Sequence, residues 1–357
     1  MRVLHVLNDL RIGGAETLVR DLCPALREAG VEVEVAVLGV SGTFLEREIA
    51  EAGTVIHAGP YGIRSPKSAL WLRSLASRFD LVHVHLWPAQ LWAALGIPRK
   101  IPLVTTEHNT DNRRRHRPFP FRPLDAATYR RYGKIIAVSG ETASALGRWL
   151  PSTVSKTTVI ENGLPLERFH GVAPLSRESL GVPENAPLLV CVGRMEPVKD
   201  HATLLRAMAL MPEFHLALAG DGPLRAELES LAETLGIDHR VRFLGRVSEI
   251  PALLAAADVY VQPSKFEGFP RATGEAMASG LPVVVSDGAG FSELVGDAAL
   301  RFPVGDAPAL ASAVRQTILE RFKRAKLSRI LADSLSIHDC AQKHCAVYEA
   351  ILSEHRI

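Results

Sequence analysis

Residues 2–39 read "RVLHVLNDLRIGGAETLVRDLCPALREAGVEVEVAVLG". "RVLHVLN" is a short apolar run of the kind that forms a strand buried on both faces. Gly13 and Gly14 are expected to turn the chain. "AETLVRDLCPALREAG" carries apolar residues at helical spacing and ends at Gly30, a common helix stop. "VEVEVAVLG" is a second strand. Strand, helix, strand is one βαβ unit, and such units build a parallel sheet covered by helices. "LVHVHL", "PLVTTEH" and "KIIAVS" continue the rhythm through the first half of the chain.

The pattern then restarts. The segment 157–187, "TTVIENGLPLERFHGVAPLSRESLGVPENAP", is rich in Pro, Gly and polar residues and reads as a linker. After it come the strands "LLVCVGR", "FHLALAG", "VRFLG", "DVYVQPS" and "PVVVSD". Helices are expected between them, near 200–211, 223–235, 248–256 and 271–279, with one more near 307–320. The fold class expected is α/β, two doubly wound Rossmann-like domains, residues 1–165 and 166–335. The segment 336–357 is expected to be a helix crossing back onto the first domain. Open α/β sheets bind ligands outside the carboxyl ends of their strands, so a cleft between the two domains is the expected site.

A chain of 357 residues exceeds what one core usually serves. Its formal charge of +2 implies no nucleic-acid partner. Cys23, Cys191, Cys340 and Cys345 form no CxxC pair and fit reduced thiols. The opening run meets charge at Asp9 and Arg11, too early for a signal peptide. No apolar run reaches the roughly 20 residues needed to span a bilayer. A cytoplasmic protein is the expectation.

Several residues could carry chemistry. "GGAE" at 13–16 places Gly14 at a helix N-terminus, where backbone can approach an anion. A tight turn alone would also explain it. In "VGRMEPVKD", Arg194 and Lys199 follow a strand end and suit a diphosphate, although surface cations are common there. "KFEGFPRATGE" at 265–275 holds Glu267 and Glu275 on either side of Pro270. Proline fits the first turn of a helix and not its interior. Glu267 should then lie in the loop, Glu275 in the helix, with unpaired N–H groups near 268–271 between them. His108 ends a strand of the first half. His83 and His85 share a strand face, and packing accounts for them better than a metal pair. "HDCAQKHC" at 338–345 resembles a ligand cluster, but Asp339, Cys340 and His344 do not converge on a helix. The chain contains no Asp-x-Asp, so no metal bridge to a nucleotide diphosphate is expected; cations and helix ends would carry the leaving-group charge.

Taken together, these segments resemble the retaining GT-B glycosyltransferases of family four. The likeness covers most of the chain, through "GGAE", "TEH", "ENGLPLERF", "VGRMEPVKD", "LAGDGP", "VRFLGRV", "PSKFEGFPRATGEAMASGLPVVVSD" and "GDAPAL". The resemblance implies a nucleotide-sugar held mainly by the second domain; with no Asp-x-Asp, no metal or other cofactor is expected beside it. It implies that Arg194 and Lys199 hold the diphosphate, Glu275 the ribose hydroxyls and Glu267 the transferred sugar. Backbone at Gly268, Phe269 and Pro270 would assist, the loop at Arg246–Val247 would flank the base, Gly14 would meet the phosphate or acceptor, and His108 a sugar hydroxyl. It further implies transfer with retained anomeric configuration, with His108, Glu267, Arg194 and Lys199 as the reaction-centre residues. Within the motif, Arg271, Thr273 and Gly274 replace the family's aliphatic residues; Arg271 is a candidate extra cation, and Gly274 costs about 1 kcal/mol in a helix relative to Ala.

Residues 111–134 carry eight Lys or Arg against two Asp, with Phe119 and Phe121 interleaved. Arg113, Arg114, Arg115 and the two phenylalanines suit an anionic membrane surface or a lipid-linked acceptor, and a solvated loop is the alternative. Other readings stay open: a non-catalytic nucleotide-sugar-binding subunit, or a GT-B-like epimerase or phosphorylase. The missing GxGxxG disfavours a dinucleotide-dependent dehydrogenase.

Overall fold

The computed structural model describes residues 1–11, 13–39, 42–112, 114–288 and 290–355, the side chains of Ser292 and Glu293 excepted. The chain divides into two compact units, Met1–Leu164 with Ser336–Ile357, and Pro165–Leu335.

The first unit is built on seven strands, β1 (Arg2–Leu7), β2 (Glu32–Val37), β3 (Val55–Ala58), β4 (Leu81–His85), β5 (Leu103–Glu107), β6 (Lys134–Ala137) and β7 (Thr157–Val159). Their order in the sheet is β3-β2-β1-β4-β5-β6-β7, and every pairing is parallel. β1 and β4 pair with His5 opposite His83. Parallel sheets are covered on both faces, and the core accordingly forms two clusters. Val3, Leu7, Leu22 and Leu26 belong to one; Leu4, Val6, Leu72 and Val84 belong to the other.

The second unit holds β8 (Leu188–Val192), β9 (His215–Ala219), β10 (Val241–Gly245), β11 (Val259–Gln262), β12 (Val283–Ser286) and β13 (Leu300–Phe302). The order is β10-β9-β8-β11-β12-β13, again parallel throughout. Leu189, Cys191, Leu216, Leu218 and Val261 fill the main core with Leu204 and Met208 from the helix His201–Ala209.

The buried strands lie where the apolar runs predict them. Three strands are additional: β3, β7 and β13. Each is short, sits at a sheet edge and keeps exposed or half-exposed residues, so it carries no continuous apolar signal. β7 corrects the assignment of 157–187 as linker throughout, because its first residues complete the first sheet. The helix Arg321–Ala332 is a further element; its exposed positions are mostly Arg and Lys.

The helix Ile337–His355 packs on the helix Gly14–Glu28. Ile337, Cys340, Ala341, Tyr348 and Ile351 join the same core cluster as Leu22. The two connections between units run side by side, with a parallel bridge between Leu164 and Ser336. Gly163 permits that approach: a Cβ there would stand 2.5 Å from Ile337 Cα and 2.9 Å from Ser336 O. Among the described residues, no helix is long and apolar enough to cross a membrane. All four cysteine thiols are free, and three are buried.

The Gly163 contact is with backbone, which cannot swing away. Gly163→Val should therefore destabilise by about 1–3 kcal/mol, the usual cost of overpacking. Urea denaturation would measure it. Gly14→Ala, where a Cβ meets nothing within 4 Å, should show no such loss.

Candidate functional site

In the second unit the chain leaves β8 toward β9 on one side, while β11 pairs with β8 on the other. Loops behind these two strands meet at the point where the sheet order reverses. Arg194 and Lys199 lie behind β8, and Glu267 to Pro270 behind β11. Lys199 Nζ donates to Glu267 Oε1 at 2.6 Å, with side chains 23% and 11% exposed. The backbones are joined as well, through Lys265 N–H to Val198 O at 2.8 Å.

Glu267 stands on a column of buried polar groups. Ser264 Oγ donates to Glu267 Oε1 at 2.6 Å, and Gln262 Nε2 donates to Ser264 Oγ at 2.8 Å. Tyr260 Oη donates in turn to Gln262 Oε1. Such a chain fixes the carboxylate rotamer, because each group's partner is already ordered. Gly290, at φ 92°, lets the loop behind β12 approach: a Cβ there would sit 2.1 Å from Glu267 O. On the other side, Asp200 takes the left-handed region at φ 49° and leads from the turn Pro197–Lys199 into the helix His201–Ala209. A non-glycine residue held there marks a loop whose path is over-determined.

Glu275 lies inside the helix Arg271–Ala278, and Pro270 precedes it, as the motif predicts. Arg271 Nε donates to Glu275 Oε1 at 3.0 Å, one turn away. One expectation changes here. The Arg271 guanidinium, the candidate extra cation, is 8% exposed and is held by Glu275. The Arg271 N–H is not an open helix-start donor, since it reaches Phe269 O at 2.9 Å. Arg194 is 61% exposed and pairs with Glu196 at 2.8 Å. Val247 is half-buried just beyond β10, at the same edge of the sheet. Gly268 and Phe269 are half-buried in the loop before the helix.

In the first unit, Gly14 opens the helix Gly14–Glu28, behind β1. Neither Gly13 nor Gly14 has positive φ, so the turn itself does not demand them. At Gly13 the constraint is local, because a Cβ would stand 2.4 Å from Glu16 Oε2. His108 follows β5 and accepts or donates a hydrogen bond at Nε2 with His85 Nδ1, 3.1 Å away. His85 in turn meets His5 at 3.0 Å. Burial, and then the nearby His344, pull the His5 and His108 imidazoles down to about 3, and burial pulls His83 and His85 well below their usual value. These rings are neutral at physiological pH. His5, His83 and His85 bring nitrogens within 4.8 Å of one another, the one such group among the described residues. His5 is the member the sequence pattern hides: it lies far from the "VHVH" pair in sequence and joins it only through the β1–β4 register.

The basic segment is not a uniform charged surface. Arg114 pairs with Asp125 at 3.1 Å and covers the Trp87 ring at 4.3 Å. Arg115 pairs with Glu107 at 3.5 Å and is 10% exposed. Both arginines are thus tied inside the unit, which removes them from the expected membrane or acceptor surface. Phe119 is 85% exposed, Phe121 is half-buried, and Arg117 and Arg122 are exposed. Arg113 lies outside the described residues.

Comparison with known proteins gives this geometry a family. Residues 12–168 match the description "Glycosyltransferase Family 4", and residues 173–331 match "Glycosyl transferases group 1". EpsF of Bacillus subtilis (strain 168), named as a glycosyltransferase, is 31% identical over 314 residues, 80% of this chain and 79% of that protein. The lipopolysaccharide core biosynthesis glycosyltransferase LpsE of Rhizobium meliloti (strain 1021) is 35% identical over 159 residues, 44% of this chain and 47% of that protein. Among solved structures, Anabaena HepE in complex with UDP-glucose superposes with a TM-score of 0.85 at 22% identity, covering 99% of this chain and 100% of that one. Two parallel α/β units, matches to both halves and a relative above 30% identity over four fifths of the chain agree: the chain belongs to glycosyltransferase family 4 and has the GT-B fold.

Proposed function

We propose that the protein is a retaining glycosyltransferase that moves a hexose or N-acetylhexosamine from a UDP-sugar to a glycan or lipid-linked acceptor, without a metal. The observation that carries this reading is the Lys199–Glu267 pair at the strand-order reversal, with Arg194 on the same loop as Lys199. A cation already oriented by a fixed carboxylate needs little reorganisation when a diphosphate becomes the leaving group. Arg194 and Lys199 are assigned to the diphosphate. Glu275 is assigned to the ribose hydroxyls and Glu267 to the transferred sugar, with the backbone at Gly268, Phe269 and Pro270. Val247 is assigned to the base side and Gly14 to the phosphate or acceptor side. His108, neutral, is assigned to a sugar hydroxyl. The choice of UDP draws on HepE, whose structures hold UDP and UDP-glucose. The retaining outcome rests on the family resemblance, and the absence of a metal on the missing Asp-x-Asp.

The acceptor is proposed to be presented at an anionic membrane surface. Phe119, flanked by exposed Arg117 and Arg122, is the feature that favours it.

Three outcomes are expected. In a nucleotide-release assay with UDP-sugars, Lys199→Ala should lower kcat by about 10²-fold, the usual loss on deleting one charge-stabilising donor. Glu275→Ala should mainly weaken UDP binding in calorimetry, and Glu267→Ala should mainly lower turnover; wild-type values in both variants would refute the assignments. In flotation with phosphatidylserine vesicles at low salt, Phe119→Asp should leave more protein unbound than wild type. Equal recovery would rule out the membrane surface.

A further inference from the structure

His108 is the last member of a continuous hydrogen-bonded chain of neutral side chains in the first unit. The chain runs from Thr106 Oγ1 to His83 Nε2 at 2.7 Å, and from His83 Nδ1 to Tyr348 Oη at 2.7 Å. Tyr348 Oη lies 3.3 Å from His5 Nε2, and His5 Nδ1 lies 3.0 Å from His85 Nε2. His85 Nδ1 ends the chain at His108 Nε2, 3.1 Å away. Thr106, His83, Tyr348, His5 and His85 are all buried.

Each link needs one proton, and each neutral member carries one. Six protons serve five links, so one is left over, at Thr106, at Tyr348 as a double acceptor, or at His108. Tyr348 Oη has no partner besides His83 and His5 among the described residues, so a proton left over there would be a buried O–H without an acceptor, and the protons point all one way or all the other. Which way is decided at the buried end. Among the described residues Thr106 Oγ1 has a single hydrogen-bond partner, His83 Nε2. If the hydroxyl donates to that nitrogen, its proton is used. If it accepts instead, a buried O–H is left without an acceptor, which native structures avoid. Donation by Thr106 leaves His83 its proton on Nδ1, for Tyr348. Tyr348 then donates to His5, His5 donates from Nδ1 to His85, and His85 donates from Nδ1 to His108 Nε2. His108 must keep its own proton on Nδ1. That nitrogen has no protein partner among the described residues, and His108 is only half-buried.

We propose that Thr106 acts through this chain as a positioning residue that holds His108 in its Nδ1–H tautomer, so that His108 offers a ligand a hydrogen-bond donor and not a lone pair. The inference deepens the proposed function and rests on it only for the ligand, a sugar hydroxyl oxygen. A His108 fixed this way binds and orients; it does not take a proton from the acceptor. The same rings do not need an ion to be satisfied. A dication among His5, His83 and His85 would bring two charges into a buried set with no anionic ligand, and it would displace the hydrogen bonds that join them.

The test is long-range ¹H–¹⁵N correlation NMR on the full-length protein labelled with ¹⁵N-histidine, the His108 signal assigned by its loss in His108→Gln. Wild type should show His108 protonated at Nδ1 and bare at Nε2; the reverse pattern overturns the proposal without any further variant. Thr106→Val keeps the buried shape and removes the proton that sets the direction, so the single-tautomer pattern should be lost, and Thr106→Ser should restore it. An unchanged His108 pattern in Thr106→Val overturns the proposal. So does a stoichiometric transition metal in the purified protein that disappears in His5→Gln. Should the tautomer behave as expected while UDP-sugar turnover is the same in Thr106→Val and wild type, the positioning stands and the role of His108 in transfer falls.

Discussion

Strands that run in one direction put all their carboxyl ends on one edge of a sheet, and the candidate site of the second unit depends on that constraint. β8 and β11 are adjacent, yet the chain departs from them to opposite sides. Nothing in the sheet order covers the loops behind them. Lys199 and Glu267, 68 residues apart in sequence, meet there at 2.6 Å. The pair is oriented from below by Ser264, Gln262 and Tyr260, and it is hemmed in by backbone at Gly290. The same edge receives the loop of Val247 and the helix of Glu275. A fold that fixes direction thus turns separate loops into neighbours before any ligand contributes.

Most of this was legible where burial writes itself into a short window. The central strands are apolar runs, and the restart at "LLVCVGR" marks the second unit. The edges are different: Val55–Ala58, Thr157–Val159 and Leu300–Phe302 are recruited by an existing neighbour rather than by their own composition. Charge was the poorest guide. Arg114 and Arg115 stand in a basic run, but Asp125 and Glu107 neutralise them through the fold. Arg271 lies one turn from Glu275 and is tied to it by an ion pair. Positions at strand ends could be named from the pattern, whereas a partner such as His5 could not, because register between distant strands decides it.

The two units fill their sheets differently. The second buries aliphatic residues and methionine against β8 and β9. The first gives part of one sheet face to imidazoles, with His5, His83 and His85 packed at ring-centre distances of 4.3–5.2 Å. Burying such groups is costly unless each nitrogen finds a partner. The partners here are one another, Thr106 and Tyr348, so the cluster is satisfied as a whole and not residue by residue. That makes a polar interior fastidious: removing one ring strands atoms on two neighbours.

Tyr348 reaches this cluster from the helix Ile337–His355, which the chain supplies only after the entire second unit. During synthesis the two units therefore cannot mature in the order in which their sequences emerge. The second unit has all of its strands once residue 302 has left the ribosome, while the first still lacks Ile337, Cys340, Tyr348 and Ile351 from its core. Until those arrive, Leu22 and Leu26 face a missing partner, and the imidazoles lack the hydroxyl that links them. Domains usually complete from the N-terminus onward. Here the earlier-made half is the one that must wait, and translation itself becomes the interval over which its interior stays unfinished.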